Sequence, residues 1–262
     1  MTVFLMIAFL FFTGSLLGWC LEVLYRRFAP ANRRRRWINP GFLIGPYLPL
    51  YGFGLIALYL MASLENTSLI AEVTVGSKIL LFAIMSVVMT AMEYVAGLIF
   101  IKGMNIKLWD YSNEKFNLQG IICLKFSFYW AILGAVYYFL IHPHITNALI
   151  WFSNNIAFSF VIGMFYGIII IDFGYSMGVM AKIRKFAADN QIKVKLEELK
   201  LQIREDAELH MQKVHWFMQY RSEVPIWDHL MRHLELQTVF VTKEIVDKYQ
   251  DVEEEEDLYQ RH

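Results

Sequence analysis

The eighteen residues from Trp37 to Gly54 read W-I-N-P-G-F-L-I-G-P-Y-L-P-L-Y-G-F-G. The run is apolar enough for a bilayer and unable to form one straight helix. It holds Pro40, Pro46 and Pro49 together with Gly41, Gly45, Gly52 and Gly54. Each proline removes a backbone donor and crowds the preceding turn. Irregular backbone at membrane depth survives only where protein or a water-filled cavity supplies its hydrogen bonds. The run therefore predicts an unwound or re-entrant stretch over 38–49, a helix from there to about Ser63, and other helices packed around the break.

Composition places that break in a membrane. Hydrophobic residues make up 57% of the 262, and the mean hydropathy is +0.40. A bilayer core of about 30 Å takes about 20 apolar residues as helix. Five segments qualify: Val3–Tyr25, the broken Gly41–Ser63, Ile79–Ile101, Gln119–Ile141 and Ile156–Met180. Ile145–Asn155 reads as an interfacial lead-in to the last, with Trp151 at headgroup level. The first run lacks the basic leader and small-residue cleavage site of a signal peptide. Cys20 and Cys123 each sit in an apolar run, which argues against a disulfide framework.

Loop charge sets the orientation. The first loop carries Arg26, Arg27 and Arg33–Arg36, and the third carries Lys102, Lys107 and Lys115. The second carries Glu65 and Glu72, with Lys78 only at its end, and the fourth, around His142-Pro143-His144, has no Lys or Arg. Basic loops stay on the cytoplasmic side. The expectation is an inner-membrane protein with its N-terminus outside and its C-terminus in the cytoplasm.

Beyond residue 180 the chain changes character. Residues 1–180 carry a charge balance of +4 and residues 181–262 one of −4. Ile192, Leu196, Leu199, Ile203, Ala207, Val214 and Phe217 recur at helical spacing, and Ile226, Leu230, Leu234, Val241 and Ile245 do so again after Ser222–Pro225. The fold class expected is all-α: a polytopic bundle of about five spans (1–180), a coiled-coil-like cytoplasmic helical hairpin (181–250) and a disordered acidic tail (251–262).

Ionisable groups inside spans are costly and call for a reason. Counted from the cytoplasmic end at 1.5 Å per residue, Glu93, Lys125 and Asp172 fall at roughly 10–12 Å depth, and Glu22 is shallower, one turn before Arg26. Four helices thus put charge in the half that holds the break, which suggests a polar pocket open to the cytoplasm. The candidate ligand-binding set is Glu22, Arg26, Asn39, Tyr51, Glu93, Asp110, Lys125 and Asp172. A helix starting near Leu50 would aim free N–H groups at that pocket and favour an anionic or zwitterionic ligand, with Arg26 and Lys125 as counter-charges. The plainer readings are a Glu93–Lys125 structural pair, a snorkelling Lys125, a local Glu22–Arg26 pair, a turn at Asp110 and a cap at Asn117. Gly163-x-x-x-Gly167 and Gly174-x-x-x-Gly178 suit close helix packing, within the bundle before between copies. No nucleotide-binding, zinc-protease or serine-hydrolase motif occurs, and the histidines form no metal set. No cofactor is expected. The arginine run beside a span fits topology or anionic lipid rather than nucleic acid.

Several strings in order resemble the bacterial ABC-transporter type IV, or CmpB-like, membrane proteins. They are G-W-x-x-E (Gly18, Trp19, Glu22), the 38–54 run, E-Y at Glu93–Tyr94, and W-D-Y-S…F-N-x-x-G-x-I-C-L-K from Trp109 to Lys125. The resemblance covers about residues 8–140. It departs at Pro40, where the family commonly has a basic residue. It implies a permease-like membrane protein served by a separate ATPase subunit, and five spans would be helped by a homodimer. The alternatives are an inner-leaflet enzyme or lipid-binding protein, and a scaffold acting through its helical tail.

Overall fold

Proline at a first helical position costs nothing, because that N–H has no intrahelical partner. The second span accordingly starts at Pro49, and everything from 38 to 48 before it is non-helical. The computed structural model describes residues 2–29, 32, 34–64, 75–209 and 226–236. Arg33, Glu65, Glu72, Val214, Phe217, the Ser222–Pro225 break, Val241, Ile245 and the acidic tail lie outside the described residues.

The helices are α1 (Val3–Phe28), α2 (Pro49–Leu64), α3 (Val75–Met104), α4 (Leu124–Val136), α5 (His142–Asn154), α6 (Ser159–Asp189) and α7 (Leu196–Leu209); α8 covers 226–236. Among the described residues four stretches are long and apolar enough to cross a membrane: Val3–Phe28, Gly76–Met104, Leu124–Asn154 and Ile156–Asp189. The chain is a helical membrane protein. The expected second span is the shorter apolar helix Pro49–Ser63.

The fourth span differs from expectation at both ends. Asn117–Leu118 (β2) and Ile122–Cys123 (β3) pair as a small antiparallel hairpin, with Gln119 and Gly120 at positive φ between them. The helix therefore starts at Leu124, not Gln119. At its other end His142-Pro143-His144 is no loop. Tyr137–Ile141 forms one π turn and the helix runs on to Asn154. A π turn re-sites the carbonyl that a proline ring would otherwise strike and leave unpaired. Tyr137 Oη and His142 Nδ1 share a 2.9 Å hydrogen bond beside it. The turn into α6 falls at Asn155.

Two further short strands depart from a purely helical fold. Ile106–Lys107 (β1), after α3, pairs in parallel with Val194–Lys195 (β4), after α6. The core lies among α1, α2, α3 and the α4–α5 helix, with the Phe9 and Phe152 rings stacked at 5.0 Å. Helix α1 lies closest to α2 because glycine lets the two backbones meet. A Cβ on Gly14 would lie 2.7 Å from Tyr51 O and from Leu55 Cβ, and one on Gly18 would overlap Tyr51 Cβ and Cγ. Gly163, Gly167, Gly174 and Gly178 are the opposite case. Among the described residues nothing lies within 4 Å of a Cβ at any of them, so no described neighbour packs closely there.

The chain divides into two units at Glu197. In the second, α7 buries Leu199 and Ile203, and α8 buries Leu230. Gln202 Nε2 donates to His229 O at 3.3 Å, and Gln202 Oε1 and His233 Nδ1 are 3.0 Å apart. The apolar stripe is thus supplemented by buried polar groups.

Candidate functional site

Non-helical backbone leaves N–H and C=O groups that must find partners. Over 38–48 those partners come from α1, from α6 and from the break's own Asn39. Asp172 on α6 accepts the N–H of Ile44 at 3.0 Å and of Gly45 at 2.7 Å. It also accepts the Tyr47 hydroxyl at 2.5 Å and the Ser176 hydroxyl at 2.9 Å. Asn39 Nδ2 donates to Leu43 O at 3.3 Å and Ile44 O at 2.7 Å, while its Oδ1 accepts Trp19 Nε1 at 2.7 Å. Leu48 N donates to Ser15 O at 3.0 Å. Asn39 and Asp172 therefore hold the break in place.

On the other side of the break lies a cavity of about 960 Å³. It is walled by α1, the break and α2, α3, the α3–α4 loop and α4. Its walls are mostly apolar and rich in aromatic rings. Two carboxylates face it from different helices. Glu22 on α1 accepts Tyr51 Oη at 2.7 Å and Arg26 Nε at 3.0 Å. Glu93 on α3 is 4% exposed and accepts Trp130 Nε1 at 2.9 Å and Tyr111 Oη at 3.1 Å. The Tyr51 and Trp130 rings lie 5.5 Å apart, so the donors to the two carboxylates are neighbours. Among the described residues Arg26 is the one Lys or Arg in the lining. It is already shared between Glu22 and Glu197, with which it also forms an ion pair.

The α3–α4 loop closes one end of this cavity through Trp109 and Tyr111. Trp109 Nε1 donates to Ile121 O at 2.8 Å, and Tyr111 stacks on Phe126 at 4.2 Å. Asp110 between them turns away. Its Oδ1 accepts Ser112 N at 3.1 Å, the Ser112 hydroxyl at 2.5 Å and Lys107 Nζ at 3.0 Å. Its Oδ2 lies 3.3 Å from Lys195 Nζ. Burial alone would raise the Asp110 pKa, but these donors outweigh it and hold the carboxyl down at about 2. Burial is also the main cause raising the Tyr111 phenol well above its usual range. Asn117 does not cap the fourth span. It closes the hairpin, accepting Gly120 N at 3.1 Å and donating to Ser112 O and Glu114 O.

Of the eight candidate residues, Glu22, Arg26, Tyr51 and Glu93 line the cavity together. Asn39 and Asp172 instead brace the break, and Asp110 braces the loop. Lys125 is elsewhere. Because the helix starts at Leu124, it occupies the first turn, is 48% exposed and pairs with Glu114 Oε1 at 2.8 Å. It forms no ion pair with Glu93 and supplies no counter-charge to the cavity. Tyr111 and Trp130 were not among the candidates, and they hold Glu93. Trp130 had a legible signal, since an indole N–H deep in an apolar span needs an acceptor.

Residues 9–177 match the family model ABC_trans_CmpB, described as "Putative ABC-transporter type IV". The match takes in α1 to α6 as far as Met177, and so every wall of the cavity. No curated protein and no solved structure matches the chain.

Proposed function

Because the chain belongs to the ABC-transporter type IV (CmpB) family, we propose that it is the ligand-holding membrane component of a transport system. The observation behind this reading is the cavity. A volume of about 960 Å³ with apolar walls and a few convergent polar groups has the size and character of a small-molecule site. The chain carries no G-x-x-x-x-G-K-[ST] loop, so the energy comes from a separate ATP-hydrolysing subunit. That subunit docks where the α3–α4 loop meets residues 194–197. Movement there has two short routes to the cavity: Glu197 through Arg26 to Glu22, and Lys195 through Asp110 to Tyr111 and Glu93.

Ala91 and Ala96 both line the cavity. Tryptophan at either position intrudes on the cavity while leaving both carboxylates in the sequence. Native mass spectrometry of full-length protein, purified in mild detergent, is expected to show a bound small molecule. Occupancy should fall at least tenfold in Ala96→Trp. Equal occupancy in the two proteins, or an empty wild type, contradicts the reading.

The cavity's loop end faces the cytoplasm in this account, and the N-terminus lies outside. The six arginines of the first loop support that orientation. In a cysteine-free background, a membrane-impermeant thiol reagent applied to intact cells should label Asn155→Cys and spare Lys115→Cys. The reverse pattern overturns the orientation.

A further inference from the structure

We infer that the cavity takes an amphipathic organic cation, with Glu93 as its charge partner, aromatic rings around its head and the apolar walls around its body. This rests on the cavity being the ligand site. Four observations carry it. First, Glu93 is buried in an apolar span, and among the described residues no Lys, Arg or His pairs with it. Both its oxygens accept hydrogen bonds, one from Tyr111 and one from Trp130, an arrangement that suits the ionised form. A buried carboxylate held by neutral donors alone is costly, and a cation beside it offsets that cost.

Second, among the described residues the lining presents no free positive charge to an anion. Its one basic side chain, Arg26, is engaged by Glu22 and Glu197. Of the two counter-charges expected for an anionic or zwitterionic ligand, Lys125 lies elsewhere and Arg26 is engaged. Third, the rings of Tyr51, Trp109, Tyr111, Tyr129 and Trp130 line the same space as Glu93. Aromatic faces attract organic cations, and indole does so best. A small hard cation would instead ask for several oxygen ligands, which this lining does not converge. Fourth, the volume far exceeds a bare headgroup, and Phe42, Phe53, Val95 and Ile99 offer an apolar bed for the rest of the molecule.

Two sources could supply such a ligand: a free lipophilic cation, or a membrane lipid with an amine head. Tetraphenylphosphonium and tetraphenylborate share size and shape and differ in sign, so the pair isolates charge. Equilibrium dialysis of detergent-purified full-length protein should show saturable tetraphenylphosphonium binding at least tenfold tighter than that of tetraphenylborate. Glu93→Gln should lose at least tenfold for the cation and nothing for the anion, and Glu93→Asp should recover part of the loss. The charge preference of the wild type decides the matter even if Glu93→Gln does not fold. Displacement of the cation by phosphatidylethanolamine but not phosphatidylglycerol in nanodiscs assigns the lipid source. No displacement by either assigns a free cation. Equal or tighter binding of tetraphenylborate overturns the inference while leaving the cavity a ligand site. Binding of neither ion also overturns it, and the Ala96→Trp comparison then tells separately whether the cavity holds anything.

Discussion

Replacing Asp172 by alanine is expected to collapse the break between α1 and α2. Four donors converge on that one carboxylate: two backbone N–H groups and two hydroxyls. A buried donor left without an acceptor costs about 1–3 kcal/mol, and backbone groups in an apolar setting have no second choice. The contributions are not strictly additive, yet even two orphaned N–H groups imply a loss of about 2 kcal/mol or more. Thermal unfolding of the purified protein in detergent should show a large drop in Tm for Asp172→Ala. Asp172→Asn should fall between, since its amide keeps one acceptor oxygen and turns a second donor toward the N–H groups. Ser176→Ala, which removes one donor and leaves none unpaired on the break, should cost far less. A wild-type Tm for Asp172→Ala would show that the break is held by something else.

Valine at Gly18 is expected to be nearly as damaging. A Cβ there overlaps Tyr51, and α1 cannot retreat as a rigid body without also opening the seam at Gly14 and Leu55. Overpacking of this kind costs about 1–3 kcal/mol. It also shifts Tyr51, whose hydroxyl is a donor to Glu22 and whose ring lies against Trp130. Truncating the obstacle separates the two effects. In a double-mutant cycle, Tyr51→Ala should restore much of the Tm lost by Gly18→Val while leaving ligand occupancy low. Gly167→Val is the control, because among the described residues nothing lies within 4 Å of its Cβ. Equal Tm losses for Gly18→Val and Gly167→Val would contradict the packing described.

What could be read from residues alone follows from how local each signal is. The start of α2 at Pro49 and the irregular stretch before it are properties of proline, so they were legible. So were Glu22 and Glu93, because a carboxylate in an apolar run stands out whatever its partners. Lys125 was misplaced because hydropathy extends the fourth span back through Ile121, Ile122 and Cys123. The backbone there turns at Gln119 and Gly120, and β2–β3 takes up those residues. His142-Pro143-His144 reads as a loop, but one π turn absorbs the proline, a device with no sequence mark of its own. Asp172 read as a member of the pocket because its depth matches that of Glu93. Depth along a helix says nothing about which face is presented, and Asp172 faces the break. Tyr111 was missed for the converse reason: a loop tyrosine beside a span suggests the interface belt before it suggests a donor to a buried acid.

The central claim is that Glu22 and Glu93, from separate helices, face one ligand-filled cavity beside an unwound segment pinned by Asp172. A cryo-electron microscopy map of the full-length protein with a bound antibody fragment tests it directly. The account predicts non-helical density over 38–48 against Asp172, and non-protein density in contact with Glu93 between α1, α2, α3 and α4. A continuous helix from Gly41 to Ser63, or Glu93 turned toward lipid with the space beside it closed, would contradict it.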